Sequence, residues 1–459
     1  MANRAWAEHE RAVQRLADSY AAIPAGQPVR LAKRTTNLFR ARAATDAPGL
    51  DVSGLDGVIE VLPDSPDGPV AEVQGMCTYE DLVDATLPHG LVPFVVPQLR
   101  TITLGGAVTG LGIESTSFRL GLPHESVLEM DVFTGSGQVV TTRPGPEGPH
   151  GDLFDAFPNS YGSLGYATRL RIKLAAVPPY VALRHLRIDD AGLLAKTIAE
   201  ITATQEYDGE PVHGLDGVSF GPGEHVLTLA RWTDEPGPTS DYAGQQIYYR
   251  SLQTCDRDRL TFHDYLWRWD TDWFWCSGAF GAQNPRIRRF WPRRYRRSDV
   301  YMRMLHLDRR FGIADRLDRR AGRPMRERVV QDIEVPVERL GEFLTWFDEE
   351  IGMRPVWMCP LATTRPWPLY PLETGKTYVN VGFWGTVHVG PDAPDGPRNR
   401  AIEAKVDELG GHKSLYSDAY YDKDTFDALY NTARLAAVKR VHDPDDRLTT
   451  LYDKAVRSR

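Results

Sequence analysis

Cysteine is scarce in this chain: Cys77, Cys255, Cys276 and Cys359 are the four in 459 residues, with no CxxC pair and no flanking histidines at ligand spacing. That excludes a disulfide framework and a zinc site, so the thiols read as core residues and no metal centre is expected. Long apolar runs are missing as well, and nothing approaches the ~20 residues needed to span a bilayer. The N-terminus, MANRAWAEHERAVQRLADSY, is charged throughout and unlike a signal peptide. A cytoplasmic protein is expected, with peripheral attachment at the inner face of the cell membrane as an extension of that reading. An excess of positive charge is also absent: the formal net charge of −8 argues against a general nucleic-acid binder.

What is present begins with an amphipathic helix over the first 25 residues, with Trp6, Val13, Leu16 and Tyr20 on one face. VIEVLPDSPDGPVAEVQG (58–75) reads as strand, turn and strand. TYEDLVDATLPHG (78–90) reads as a helix capped by Thr78 and ended by Gly90. After the apolar LVPFVVP come a glycine-rich stretch and then VLEMDVFTGSGQVVTT (127–142), a hairpin turning at Gly135, Ser136 and Gly137. This order predicts an α+β domain rather than a repeating β/α array.

The glycine-rich stretch, LGGAVTGLGIES (104–115), places Gly105, Gly106, Gly110 and Gly112 before Glu114 and Ser115. It is not a Walker loop, which needs Gly-Lys-Ser/Thr. Nor is it a dinucleotide fingerprint, since Ser115 stands where a third glycine is required. Bare amides can nevertheless donate to a phosphate or a ring edge, because no Cβ blocks the approach. The alternative is a structural turn.

Several blocks together resemble the vanillyl-alcohol-oxidase type of flavoprotein, with its PCMH-type FAD domain, and within it the Δ24-sterol reductases. They are VPFVVPQLRTITLGGAVTGLGIESTSFRLGL (92–122), DLFDAFPNSYGSLGYATRLRIKL (152–174), VVQDIEVP (329–336), PVWMCP (355–360), YVNVGFWG (378–385) and SLYSDAYYDKDTF (414–426). The resemblance implies that Thr103, Leu104, Gly105, Gly106, Ala107, Val108, Thr109, Gly110, Leu111, Gly112, Ile113, Glu114 and Ser115 contact FAD. It places a first pyrophosphate loop at Lys33, Arg34, Thr35, Thr36 and Asn37, and an adenosine contact at Gly162, Ser163, Gly165 and Ala167. A solvated Lys-Arg pair and a plain turn are the alternatives for these two segments. Many oxidases of the superfamily tether FAD through a histidine in the first loop; LAKRTTN has none, so non-covalent FAD is expected. The implied organisation is a FAD domain (1–178), a substrate domain (179–425) and a C-terminal segment (426–459) returning to the first.

A flavin reductase of an isolated alkene needs a general acid, an apolar slot and a means of softening a cation. The segment TFHDYLWRWDTDWFWCSGAFG (261–281) supplies aromatic faces, which otherwise read as core. Candidate acids are Tyr416, Asp418, His263 and Glu114, with Asp264 and Tyr421 beside them. LYSDAYY is expected as a strand, which would put Tyr416, Asp418 and Tyr420 on one face as a proton relay. Glu114 could instead only hold the flavin segment, and His263 could be structural.

RIRRFWPRRYRR (286–297) holds seven arginines and three aromatics in an otherwise acidic chain. It suits an anionic membrane surface, or else arginines paired with acidic loops. The reading that follows is FAD-dependent reduction of a lipid C=C bond, with NADPH as electron donor. The favoured substrate is a 10-methylene fatty acyl phospholipid, as for actinobacterial flavoproteins that resemble this family, with a SAM-dependent methyltransferase as partner. A Δ24-sterol reductase-like activity, an alcohol or sugar-acid oxidase, and a lipid-binding subunit with a structural flavin stand as rivals.

Overall fold

Two antiparallel sheets, each built from the apolar runs of one part of the chain, frame the molecule. The structure is a computed structural model that describes residues 5–456 apart from 33–38, 41–47, 312–315, 317–319, 321, 323 and 391. The first sheet holds β1 (Val58–Leu62), β2 (Val70–Gln74), β3 (Leu91–Pro93), β4 (Val127–Phe133), β5 (Val139–Thr142) and β6 (Tyr166–Ala176). Its order is β1-β2-β6-β4-β5, with β3 also pairing with β6. Both expected hairpins form, β1 with β2 and β4 with β5.

The helices around this sheet follow their capping signals. Helix α1 (Trp6–Ala21) buries His9, Ala12 and Leu16, while Trp6 lies outward. The buried stripe is thus rotated from the Trp6/Val13/Leu16/Tyr20 face expected, because His9 is drawn in beside Gln74. Helix α2 (Tyr79–Thr86) starts where Thr78 Oγ1 accepts the Asp81 N–H at 3.1 Å, and the turn after it ends at left-handed Gly90. A third, shorter helix, α3 (Leu104–Thr109), occupies part of the glycine-rich stretch.

The second sheet has eight strands: β7 (Tyr180–Ile188), β8 (Gly214–Gly221), β9 (Glu224–Thr233), β10 (Arg257–Thr261), β11 (Arg326–Pro336), β12 (Val356–Leu361), β13 (Tyr378–His388) and β14 (His412–Lys413). The order is β10-β7-β9-β8-β12-β13-β11-β14. Side chains alternate between its faces. Val329, Ile333, Val335, Met358, Val379, Val381 and Phe383 point to one side, where α4 (Ala191–Thr204), α5 (Leu340–Glu350) and α6 (Pro397–Glu408) cover them. Burying each such side chain contributes about 1.5–3 kcal/mol. Val218, Trp357, Cys359, Leu361 and Tyr378 point the other way and join the core that α2, α3 and the first sheet build. The fold is α+β, and this second face is where its two halves meet.

The chain end packs back on the beginning. The Val29 N–H donates to the Arg447 carbonyl at 2.9 Å and the Ser136 N–H to that of His442 at 3.0 Å. Among the described residues no helix is long and apolar enough to cross a membrane.

Candidate active site

The glycine-rich stretch is not a loop of bare amides in its first half. Thr103 Oγ1 accepts the Gly106 N–H at 3.2 Å and caps α3, while the Leu104 and Gly105 N–H groups donate to the carbonyls of Cys77 and Gly75, both at 2.9 Å. Close approach is the reason for glycine at 105: a Cβ there would stand 2.6 Å from the Gly75 carbonyl oxygen. Ala107, Val108 and Thr109 complete the helix, whose last carbonyl, that of Thr109, accepts the Tyr161 N–H at 2.7 Å.

Beyond Gly110 the chain leaves helical geometry, and Leu111, Gly112, Ile113 and Glu114 run on without regular structure toward the second sheet. Gly112 is gripped by prolines, with Pro97 and Pro123 each 2.9 Å from where its Cβ would be. The Leu215 N–H donates to the Ser115 carbonyl at 2.8 Å, and Ser115 Oγ and Tyr265 OH share a hydrogen bond of 2.6 Å.

Glu114 enters a buried ionic knot. Arg268 Nη2 donates to Glu114 Oε1 at 2.8 Å and to Asp216 Oδ2 at 2.9 Å, and the Trp269 indole N–H donates to the same Asp216 oxygen at 2.9 Å. Burial pushes the Glu114 carboxyl above its ordinary range, against the pull of the Arg268 charge. Glu114 Oε2 has no hydrogen-bond partner among the described residues.

A second cluster, which the sequence reading did not single out as acids, lies on the same sheet face. Asp332 and Glu334 alternate along β11 and share parity with Val330; their neighbours across the ladder are Gly382 and Asn380 of β13. Burial lifts Asp332 to about 7. Glu334 is raised well above the carboxylate range by burial and then by the Asp332 charge. Asp332 faces the Asn380 amide and the Tyr416 hydroxyl, and that hydroxyl also faces the Trp384 indole. None of Asp332 Oδ1, Tyr416 OH or the two Asn380 amide atoms completes a hydrogen bond of full geometry to a described residue.

Aromatic rings continue from that point. Trp384 stacks on Phe274 at 4.5 Å between centroids, and Phe274 meets Trp269 at 4.8 Å and Trp357 at 5.5 Å. Trp273 stacks on Phe39 at 5.7 Å, and Phe39 meets Tyr416 edge-on at 5.8 Å. Of the aromatic segment, then, Trp269, Trp273 and Phe274 form one wall of a cage, and Trp267 lies beneath the Arg100 guanidinium. Trp273 and Phe274 are both left-handed, with φ of 47° and 59°.

The other candidates fall as follows. Residues 415–417 form a turn and bend, and Ala419 only an isolated bridge to Val456, rather than the expected strand, because the Leu415 N–H is taken by Tyr161 OH at 3.0 Å and the Ser414 N–H by the Asp332 carbonyl. Tyr416 and Asp418 therefore do not share a strand face. Tyr416 joins the Asp332 cluster, and the Asp418 carbonyl accepts from Lys413 Nζ at 2.6 Å. His263 faces solvent beside Asp264 at 3.3 Å. Ser163 Oγ is buried and without a described partner, Gly162 is left-handed, and Gly165 and Ala167 lead into and lie on β6 against β4. Lys33, Arg34, Thr35, Thr36 and Asn37 lie outside the described residues. Just after them the Phe39 N–H donates to the Tyr416 carbonyl at 2.9 Å.

The residues between the sheets fit a flavin. An isoalloxazine edge alternates carbonyl, N–H and carbonyl, and the Asn380 amide, buried with neither atom in a hydrogen bond of full geometry to a described residue, offers both a donor and an acceptor. Leu111–Ser115, Tyr161–Ser163 and Tyr416 would hold it. Among the described residues no group of His, Cys, Asp and Glu is arranged for a metal.

Comparison with known proteins points the same way. Residues 5–143 match the FAD binding domain family. The chain is 23% identical to the Delta(24)-sterol reductase of Homo sapiens over 402 residues, 84% of this chain and 74% of that one. It is 22% identical to the Delta(24)-sterol reductase of Arabidopsis thaliana over 432 residues, 85% and 73% of the two chains. Cytokinin dehydrogenase 2 of Oryza sativa subsp. japonica is 35% identical over 142 residues, 31% of this chain and 23% of that enzyme. Residues 5–143 therefore carry an FAD binding domain, and the chain is an FAD-dependent enzyme.

Proposed function

We propose that the protein reduces an isolated carbon–carbon double bond of a lipid. The observation that carries this reading is the meeting of a carboxyl held near neutral pKa, Asp332, with Tyr416 and the aromatic cage that begins at Trp384. An unactivated alkene has no carbonyl to take up charge, so a proton must reach it as hydride does. Bound FAD, once reduced, supplies the hydride.

The chain supplies the rest. Asp332 gives its proton to the less substituted alkene carbon, directly or through the Tyr416 hydroxyl, and recovers one from solvent after each turnover. Positive charge grows on the branch carbon against Trp357 and Trp384, each face worth about 0.5–2 kcal/mol where water is excluded, with Phe274 packed behind them. The closed cage also keeps water from capturing that cation. NADPH is the proposed donor that restores the reduced flavin.

Two substrates share this chemistry. The printed names of the relatives favour a sterol side chain. A 10-methylene acyl phospholipid, whose protonated =CH2 also leaves a tertiary cation, is favoured by the exposed arginines of 286–294; it is the substrate we propose, with a SAM-dependent methyltransferase as the partner that builds the branch. The test is anaerobic: the photoreduced protein is mixed with each lipid and flavin reoxidation is followed. Faster reoxidation by the methylene phospholipid supports the full proposal. Reoxidation by desmosterol alone overturns the acyl choice and keeps the alkene chemistry. Reoxidation by neither, with turnover of an alcohol under air, overturns both.

A further inference from the structure

Seven arginines between 286 and 297 do two different jobs. Arg288 is buried: its guanidinium donates to Asp272 Oδ1 at 2.7 Å and to the carbonyls of Gly244, Tyr242 and Gln246. Arg296 is buried too and donates to the carbonyls of Ala243, Gly244, Arg288 and Trp291. Arg297 pairs with Glu80 and Asp299, and Arg293 with Asp241. These bonds pin the helical turn Pro285–Phe290 and the turn at Arg293–Tyr295 from behind.

Rigid backing forces the remaining side chains outward. Phe290 is 82% exposed, Ile287 44% and Tyr295 43%. Arg286, Arg289 and Arg294 are exposed beside them, and no carboxylate among the described residues pairs with any of the three. An apolar ring on solvent, ringed by unneutralised cations, is unfavourable unless something of opposite character meets it. The exposed cations attract a negative surface, and the apolar tips beside them suit the boundary between headgroups and acyl chains.

We propose that this face, Ile287, Phe290 and Tyr295 with Arg286, Arg289 and Arg294, docks on an anionic phospholipid surface. It deepens the lipid-reductase reading, on which its purpose rests, because the patch and the cage are linked through one short segment: Trp291 lies 6.1 Å from Tyr301, Tyr301 stacks on Phe280 at 5.8 Å, Phe280 ends the turn that Trp275 begins, and Trp275 lies 5.5 Å from Trp384. Docking itself needs no turnover, so it is tested apart from the chemistry.

The experiment is co-sedimentation of the FAD-loaded protein with extruded vesicles, of phosphatidylcholine alone or with 30% phosphatidylglycerol added (a composition of about that order suffices). Expected is at least tenfold stronger association with the anionic vesicles, lost on raising salt from about 0.1 to 0.5 M. Phe290→Ser and the double variant Arg286→Glu/Arg289→Glu should each lower it about tenfold or more while the flavin spectrum stays unchanged. Equal association with both vesicle types, none with either, or full association of both variants overturns the proposal. A dimer in solution that the Phe290→Ser change dissociates would instead assign the face to a second copy and overturn it as well.

Discussion

Arg268 Nη2 lies 2.8 Å from Glu114 Oε1, with both side chains shut away from solvent, and through its second bond, to Asp216 of β8, it ties the glycine-rich segment to the second sheet. Removing the cation leaves Glu114 and Asp216 facing each other without compensation. Arg268→Met is expected to cost about 3–5 kcal/mol, read from urea unfolding. Glu114→Gln should cost less, because Asp216 still partners Arg268. If Glu114 were the proton donor, Glu114→Gln would also slow flavin reoxidation by the alkene; an unchanged rate assigns it to anchoring.

Asp332 predicts a pH profile. Burial raises its folded carboxyl from an ordinary 3.8 to about 7, so the protonated form dominates below pH 7 and is lost above it. Reoxidation of the reduced flavin by the lipid should be level below pH 7 and fall about tenfold per unit above it. The same shift sets a stability trend. The folded state binds this proton more tightly than the unfolded one, so the group's contribution falls as pH rises from about 4 to 7 and is constant beyond. Asp332→Asn should abolish the acid-dependent rate, by about 100-fold or more at pH 6, and flatten that part of the stability curve. A rate profile unmoved in the variant would take Asp332 out of the chemistry.

Gly382 leaves the space in which Asp332 and Trp384 converge: a Cβ there would press on Asp332 Oδ1 and stand 2.7 Å from the Trp384 ring. Gly382→Ala should therefore push the acid and the cage apart, slowing the alkene half-reaction while flavin reduction by its donor proceeds. The overpacking cost is about 1–3 kcal/mol. Equal slowing of both half-reactions would show general damage instead.

Since LAKRTTN contains no histidine, acid precipitation is expected to release FAD into the supernatant. Yellow colour that stays with the pellet would contradict non-covalent binding.

Local signals were legible where local physics decides. Thr78 with Asp81 and Gly90 bounded α2, and Gly135 to Gly137 marked a hairpin turn, because caps and turns depend on neighbours in sequence. The alternation of LYSDAYY predicts a strand, but the Ser414 and Leu415 amides are claimed by the Asp332 carbonyl and the Tyr161 hydroxyl from distant segments, and a turn forms at Leu415–Ser417 instead. Asp332 and Glu334 carry a sign legible in the sequence: two carboxyls alternating inside the apolar run VVQDIEVP fall on one strand face. Which face they occupy is set by the pairing of β11 with β13, a contact between segments distant in sequence. Arg288 and Arg296 show the converse. A run of arginines looks uniform in sequence, and only tertiary carbonyls separate the buried members from the exposed ones.

The consecutive left-handed residues Trp273 and Phe274 carry a consequence for anyone breeding this enzyme. Bulky side chains in that conformation each cost about 1–2 kcal/mol, a burden that glycine escapes and asparagine lightens. At either position Gly or Asn would relieve that strain but give up a buried ring, Trp273 being 3% and Phe274 4% exposed, at about 3–5 kcal/mol. A heat-selection library would therefore retain both rings: packing outweighs backbone strain at this bend, and thermal hardening has to come from elsewhere in the chain.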